Sequence, residues 1–473
     1  MSKVFKNTII YSISSIIPQA ANFILLPLYT RYLDPKEFGI VNSMIVLQGL
    51  LTVIFTLCLD RSIYRLYWDY KDESQRRNYL GTTFITIYLI SITIILILFL
   101  FRNKVGHIYE SISFFPFYSY SIITTFLSVI ASLPLLIFRL KERAKTFLIF
   151  SLIQFFLNNL FIILFVVYLK EESAGYLKGL MLSYLITSPL YIYLSLKSIN
   201  FTFNLKILKN TLAYSLPLFP NIISAWVLNL SDRIFIERYL SMKEVGIYSL
   251  GIKIAGLIGI FSAAFSQAYD PVFYRLANAE NSIDNIPQIS KYNHFFLNVI
   301  IYSCFLISFF SKEIISLFFS ESYIKASVYT SLFVFYFLIA QFGGVISKFL
   351  YQSKKTKQTM LISLIAAGIS LLLNFILIPV FGTYGAIISA IFSILFAVSV
   401  SYFYARKHCF FIDFQWSKLI MTIIPLLSLI LIFYFFVNIE LYYSLMIKII
   451  ICILLFGYFV KRNYKQMLSI LKI

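Results

Sequence analysis

The chain has 473 residues, of which 60% are hydrophobic and 13% charged, with a mean hydropathy of +0.85. No water-soluble fold buries so apolar a chain, which excludes soluble enzymes and binding modules and indicates an integral membrane protein. The 40 Lys and Arg against 20 Asp and Glu give a net charge of +20, but the cations are scattered over short segments and form no patch suited to nucleic acid.

Apolar runs of about twenty residues recur along the whole chain, each long enough at about 1.5 Å per residue to cross a hydrocarbon core of roughly 30 Å. Backbone polar groups in lipid must be satisfied internally, so the runs predict helices. In chain order the expected spans lie near residues 8–30, 38–60, 80–101, 114–138, 146–169 and 175–196, then 211–235, 245–268, 294–311, 324–347, 359–379 and 384–405, with a final pair near 418–438 and 441–460. This is an all-α polytopic membrane protein of about 14 transmembrane helices: an N-terminal six-helix lobe (1–205), a second six-helix lobe (206–410) and two appended helices (411–473).

The first span follows Lys3 and Lys6, is too long for a signal-peptide core and lacks a small-residue cleavage site, so it is expected to be retained. With the N-terminus in the cytoplasm, 27 of the 40 Lys and Arg fall in cytoplasmic segments and 11 in outer ones, as the positive-inside rule requires. An even number of spans returns the C-terminus to the cytoplasm. Cys58, Cys304, Cys409 and Cys452 show no CxxC spacing and read as small hydrophobes. His107, His294 and His408 lie in separate segments, so no metal site is expected. The longest polar segment, about 269–293, is too short for a soluble domain. P-loop, HExxH and GxSxG motifs are absent, so nothing suggests ATP-driven transport, hydrolysis, a catalytic residue or a cofactor.

The chain echoes itself. TRYLDPKEFGI (30–40) returns as ERYLSMKEVGI (237–247), with seven of eleven positions identical, and each copy follows the first span of a six-span block. A second match pairs Asp60, Ile63, Tyr64 and Arg65 with Asp270, Phe273, Tyr274 and Arg275. Two six-span blocks that start on the same side form a parallel repeat related by an axis along the membrane normal, an arrangement of two lobes that rock to alternate access.

RYLDPKEFGI, FYRLAN (273–278) and above all NFILIPVFGTYGAIISAIFS (374–393) resemble the polysaccharide-exporter branch of the multidrug/oligosaccharidyl-lipid/polysaccharide (MOP) exporter superfamily, nearest the O-antigen (Wzx-like) flippases. The resemblance covers nearly the whole chain. In the last motif Pro379 is expected to end a helix, Gly382 and Gly385 to permit a tight outer turn, and Ala386 and Ala390 to permit close packing. The resemblance implies a non-enzymatic protein of the bacterial inner membrane that flips a polyprenyl-pyrophosphate-linked oligosaccharide from the cytoplasmic to the outer leaflet. Its partners would be that substrate, membrane lipid and assembly proteins such as the polymerase.

Such a task calls for Lys or Arg for pyrophosphate, and for amides and aromatic faces for sugar. In the seventh span Trp226, Asn229, Arg233 and Glu237 are spaced by three and four residues, with Asp232 adjacent. The eighth span adds Lys253. An ionisable group within a span is expensive and faces a cavity or a partner. Arg233 and Lys253 therefore line a cavity, snorkel outward, or, for Lys253, pair with Asp232. Asp60 and Arg61 either meet pyrophosphate at the inner side or anchor the interface. Gln19 and Asn22, one turn apart, bind sugar or join helices. Lys448 snorkels or meets Glu440. The 50 Phe and 35 Tyr suit spans and interfacial belts as well as they suit sugar. Drive is expected from an ion gradient or downhill flux, with Asp232 as the first carboxylate to test. The rival readings are a multidrug antiporter or lipid II flippase of the same superfamily and an O-antigen polymerase, which would need a large outer loop.

Overall fold

The computed structural model describes residues 3–278, 284–409, 414, 416–436, 443–455 and 457. Among these residues there are helices and no strands, as expected of a chain that must close its own backbone hydrogen bonds. Among the described residues eleven helices are long and apolar enough to cross a membrane, the first of them Pro35–Thr56 and the last Thr383–His408. The described residues group into two compact units, Met1–Gly246 and Ile247–Ile473.

The first unit opens with α1 (Lys3–Tyr32) and α2 (Pro35–Thr56). The start of α2 is written locally: Asp34 accepts the Glu37 N–H at 2.8 Å and Pro35 occupies the first turn, the chemistry of a capped N-terminus. Leu57 and Cys58, both with left-handed backbone (φ 45° and 60°), then break the chain and set off α3 (Leu59–Leu66) from α2. There follow α4 (Glu73–Leu100), the short α5 (Arg102–Gly106), α6 (Ser119–Leu140), α7 (Ala144–Ile163) and α8 (Glu172–Ser198). Leu127, Ile130, Ala131 and Tyr191 form a buried core where α6 packs on α8. Polar side chains join other helices. Thr187 donates to Gln154 Oε1 at 2.8 Å, Gln154 donates to Asn158 at 2.8 Å, and Tyr29 Oη donates to Asn159 at 2.6 Å, tying α1 to α7.

The expected seventh span is three pieces: α9 (Leu205–Ser215), α10 (Phe219–Leu230) and α11 (Asp232–Tyr239), with a short 3-10 turn at 216–218. Next comes α12 (Met242–Ala255), whose first residues close the first unit. The echoed sequence begins α12 as it begins α2. Ser241, at the position of Asp34, accepts the Glu244 N–H at 3.2 Å, and the two echoed glycines meet. A Cβ on Gly39 would lie 2.2 Å from the Met242 carbonyl oxygen, and one on Gly246 would lie 1.8 Å from that of Pro35. The two helix starts pack backbone to backbone, which only glycine allows.

The second unit continues with α13 (Leu257–Ala277), α14 (Ile286–Phe309), α15 (Ser311–Phe318), α16 (Ala326–Gln352), α17 (Thr356–Phe381), α18 (Thr383–His408), α19 (Trp416–Phe436) and α20, Tyr443–Leu455. Tyr248 packs edge-on to Phe333 at 5.0 Å. The α17–α18 turn hinges on Gly382, whose φ of 60° lies in the left-handed region. Ala386 and Ala390 are buried there. Pro379 does not end α17 as expected: the helix runs on to Phe381 and is closed by the Gly382 N–H donating to Ile378 O at 2.8 Å. A proline this near a helix end removes one hydrogen bond without stopping the last turn. The second echo matches in burial, with Ile63 and Phe273 both fully buried and Arg65 and Arg275 both exposed.

Candidate functional site

Where α10 gives way to α11, Ser231 interrupts the helix. The following pair, Asp232 and Arg233, turns inward: their side chains are 8% and 6% exposed and meet at 2.7 Å, and Arg233 Nη1 also donates to the Asn229 carbonyl at 2.9 Å. The adjacent Arg233 is thus a hydrogen-bonded partner of Asp232 within the first unit. Tyr109, 1% exposed in the loop before α6, lies within the field of this pair. Burial pushes its phenol well above the ordinary range, and the Arg233 guanidinium opposes the shift only in part. A charge pair removed from water persists when it is mutually compensated and hydrogen-bonded, as here.

The expected single face of 226, 229, 233 and 237 divides. Arg233 and Glu237 are buried, Asn229 is exposed and Trp226 is half-buried. The Trp226 indole donates to the Val46 carbonyl at 3.0 Å and lies 3.9 Å from where a Gly49 side chain would begin, so it is pinned across α2. Beside it on α2, the Gln48 Nε2 is buried without a hydrogen-bond partner among the described residues, and Thr52 is exposed. Gln48 and Thr52 on α2 and Trp226 and Asn229 on α10 thus put polar groups on two packed helices, and Asn229 adjoins the charge pair through the hydrogen bond from Arg233 to its carbonyl. Glu237 is held elsewhere, accepting the Ser111 N–H at 2.8 Å, while Arg238 pairs with Glu110 at 3.2 Å.

The remaining candidates lie on other segments of the chain. Asp60 and Arg61 form a loose pair at 3.5 Å with side chains 30% and 63% exposed. They lie beyond the far end of α2, roughly 33 Å from its Asp34 cap for a 22-residue helix. Gln19 and Asn22 are both exposed on α1. Lys253 is exposed on α12 in the second unit.

Two ion pairs in the second unit were not foreseen. Lys448 neither snorkels nor can be described with Glu440, which lies outside the described residues. It is buried, reaches Glu313 at 2.7 Å and donates to the Phe309 carbonyl at 2.6 Å, while Ser444 donates to the same carboxylate at 2.9 Å. Glu313 lies just outside the ninth expected span, so sequence spacing alone gives no sign that a distant lysine reaches it. Lys348, just past the end of the span expected near 324–347, is the second: it lies on α16 with only 9% exposure, 2.5 Å from Asp270.

Comparison with known proteins adds an independent line. A family model described as polysaccharide biosynthesis protein matches residues 4–277, and one described as MatE matches 217–376. Protein 1 of the Lsg locus of Haemophilus influenzae is 23% identical over 304 residues, spanning 61% of this chain and 70% of that protein. Among solved structures, the lipid II flippase MurJ in an inward closed conformation superposes with a TM-score of 0.74 at 16% identity, over 99% of this chain and 100% of that one. An inward-facing multidrug resistance MATE family transporter of the MOP superfamily gives 0.57 at 14% identity, over 83% and 97%. At these identities the structural likeness is one of fold.

Proposed function

The chain belongs to the polysaccharide biosynthesis protein family of the MOP superfamily, and on that footing we propose that it is a flippase for undecaprenyl-pyrophosphate-linked O-antigen or polysaccharide repeat units. It moves them from the cytoplasmic to the outer leaflet of a bacterial inner membrane. The family match over more than half of the chain carries the proposal. Polar groups carried on membrane-spanning helices, Gln48 and Thr52 on α2 and Trp226 and Asn229 on α10, support it. The sugar head cannot cross hydrocarbon unaided, whereas its lipid tail stays in the bilayer.

The proposal includes fourteen spans with both termini cytoplasmic, the C-terminal tail lying outside the described residues. It includes lobes of residues 1–205 and 206–410 and a helix pair at 411–473. Trp226 and Asn229 in the first unit and Lys253 in the second are the groups presented to substrate. Asp232 and Arg233 act behind them as a positioning pair, with Gln19, Asn22, Asp60 and Arg61 as further contacts.

The test is mass spectrometry of polyprenyl-pyrophosphate sugars in cells lacking the gene and in cells with it restored, with leaflet assignment by an impermeant probe. One complete repeat unit should accumulate in the inner leaflet and be cleared by the wild-type chain. Single units already outside but unpolymerised would instead indicate a polymerase. Unchanged sugar lipids would indicate drug export, and accumulation of lipid II would indicate the substrate named for MurJ.

A further inference from the structure

The two lysines that pair with carboxylates inside the second unit are held differently. Lys448 donates a hydrogen bond to the Phe309 carbonyl, and its mate Glu313 also accepts from Ser444. That is a bonded internal tie between α20 and the end of α14, with the carboxylate 2% exposed. Lys348 is as deeply buried, yet its ammonium and Asp270 Oδ1, although 2.5 Å apart, are out of line for hydrogen bonding, and neither atom has a hydrogen-bond partner among the described residues. Its other near neighbours are ring faces, Tyr269 at 4.9 Å and Phe296 at 6.0 Å from the ring centroids. These attract a cation but offer no lone pair in line. The ammonium is thus met by a counter-charge and ring faces but by no in-line acceptor among the described residues, in a partly desolvated place where such an acceptor is favoured. Asp270, by contrast, is 40% exposed and can turn away into solvent.

The repeat sharpens the contrast. Asp60, the counterpart of Asp270, pairs with the well-exposed Arg61, so among the described ion pairs the buried cation belongs to the second copy. We propose that Lys348 is an anion-binding residue for phosphate or pyrophosphate, with Asp270 as the counter-ion that the phosphate displaces. A phosphate oxygen supplies both the negative charge and the in-line acceptor that Asp270 does not. This rests on the flippase reading, in which the ligand is the pyrophosphate head of the lipid-linked sugar, bound at the end of α16 that the proposed topology places on the cytoplasmic side.

The test measures binding to the purified full-length protein in nanodiscs, using farnesyl pyrophosphate and inorganic pyrophosphate as probes. Wild-type protein should bind farnesyl pyrophosphate, Lys348→Gln should weaken binding by about tenfold or more, Lys348→Arg should retain part of it, and Asp270→Asn should tighten it several-fold. Competition by inorganic pyrophosphate with the same dependence on Lys348 supports recognition of the phosphates alone, and binding of the prenyl form only supports recognition of a lipid-borne head. Equal weakening by Lys348→Gln and Asp270→Asn, or no change in either, would overturn the anion site while leaving the flippase reading standing. A wild-type protein that binds neither probe would overturn both.

Discussion

Replacing Gly246 by alanine tests the contact between the two echoed helix starts. The new Cβ would lie 1.8 Å from the Pro35 carbonyl oxygen and 3.0 Å from the Gly39 nitrogen, whereas non-bonded heavy atoms settle at about 3.5 Å. Both obstacles are backbone, so the helix starts must part by more than about 1 Å. Neither can bend locally, because α2 is fixed there by Pro35 and the Asp34 cap and α12 by Ser241. Overpacking of this kind costs roughly 1–3 kcal/mol, while alanine in a helix interior returns about 1 kcal/mol of propensity over glycine. The control is Gly368→Ala in α17, where nothing lies within 4 Å of the added carbon; there the propensity gain stands alone. Thermal unfolding in detergent should therefore place Gly246→Ala below wild type and Gly368→Ala level with it or above. Gly39→Ala should act like Gly246→Ala, and the double variant should lose less than the sum, since the first substitution already separates the helices. If Gly246→Ala melts with Gly368→Ala, the close approach is not a feature of the folded protein.

Two further outcomes follow from the buried pairs. Arg233→Ala removes one hydrogen-bonded partner of the Asp232 carboxylate in a site where both side chains are under one-tenth exposed, and should lower stability by about 1–3 kcal/mol. The paired change Asp232→Asn with Arg233→Gln should recover part of that loss in a denaturant melt, and equal losses in both would show that the charges are not coupled. Lys448→Met should loosen α20 and open it to protease, because Glu313 is left buried and charged. Adding Glu313→Leu should restore resistance, and a double variant as labile as the single one would refute the tie.

Much of the frame can be read in one dimension. Apolar runs and charge bias indicate a multi-pass helical protein, since only helices satisfy their own backbone in lipid, and the eleven described spans stand where such runs were read. The echo carries more than homology. Asp34 and Ser241 are both helix caps, and Gly39 and Gly246 both mark a close approach, each a local rule tied to residue type.

Which way a polar side chain points is another matter. Spacing of three and four put Trp226, Asn229, Arg233 and Glu237 on one face, but the interruption at Ser231 and the neighbours on α2 and in the 107–113 loop send Arg233 and Glu237 inward and leave Asn229 out. Lys448 found Glu313 more than 130 residues away, and Lys348 found Asp270 on another helix. Hydropathy records the cost of placing a charge in lipid and is silent on which distant group offsets it. The sequence by itself determined the class, the helices and their capped, glycine-marked starts, because those follow from each residue and its nearest neighbours. Tertiary structure alone decided which charges are neutralised and which remain open to a ligand, because that depends on helix rotation and on partners brought together only by packing.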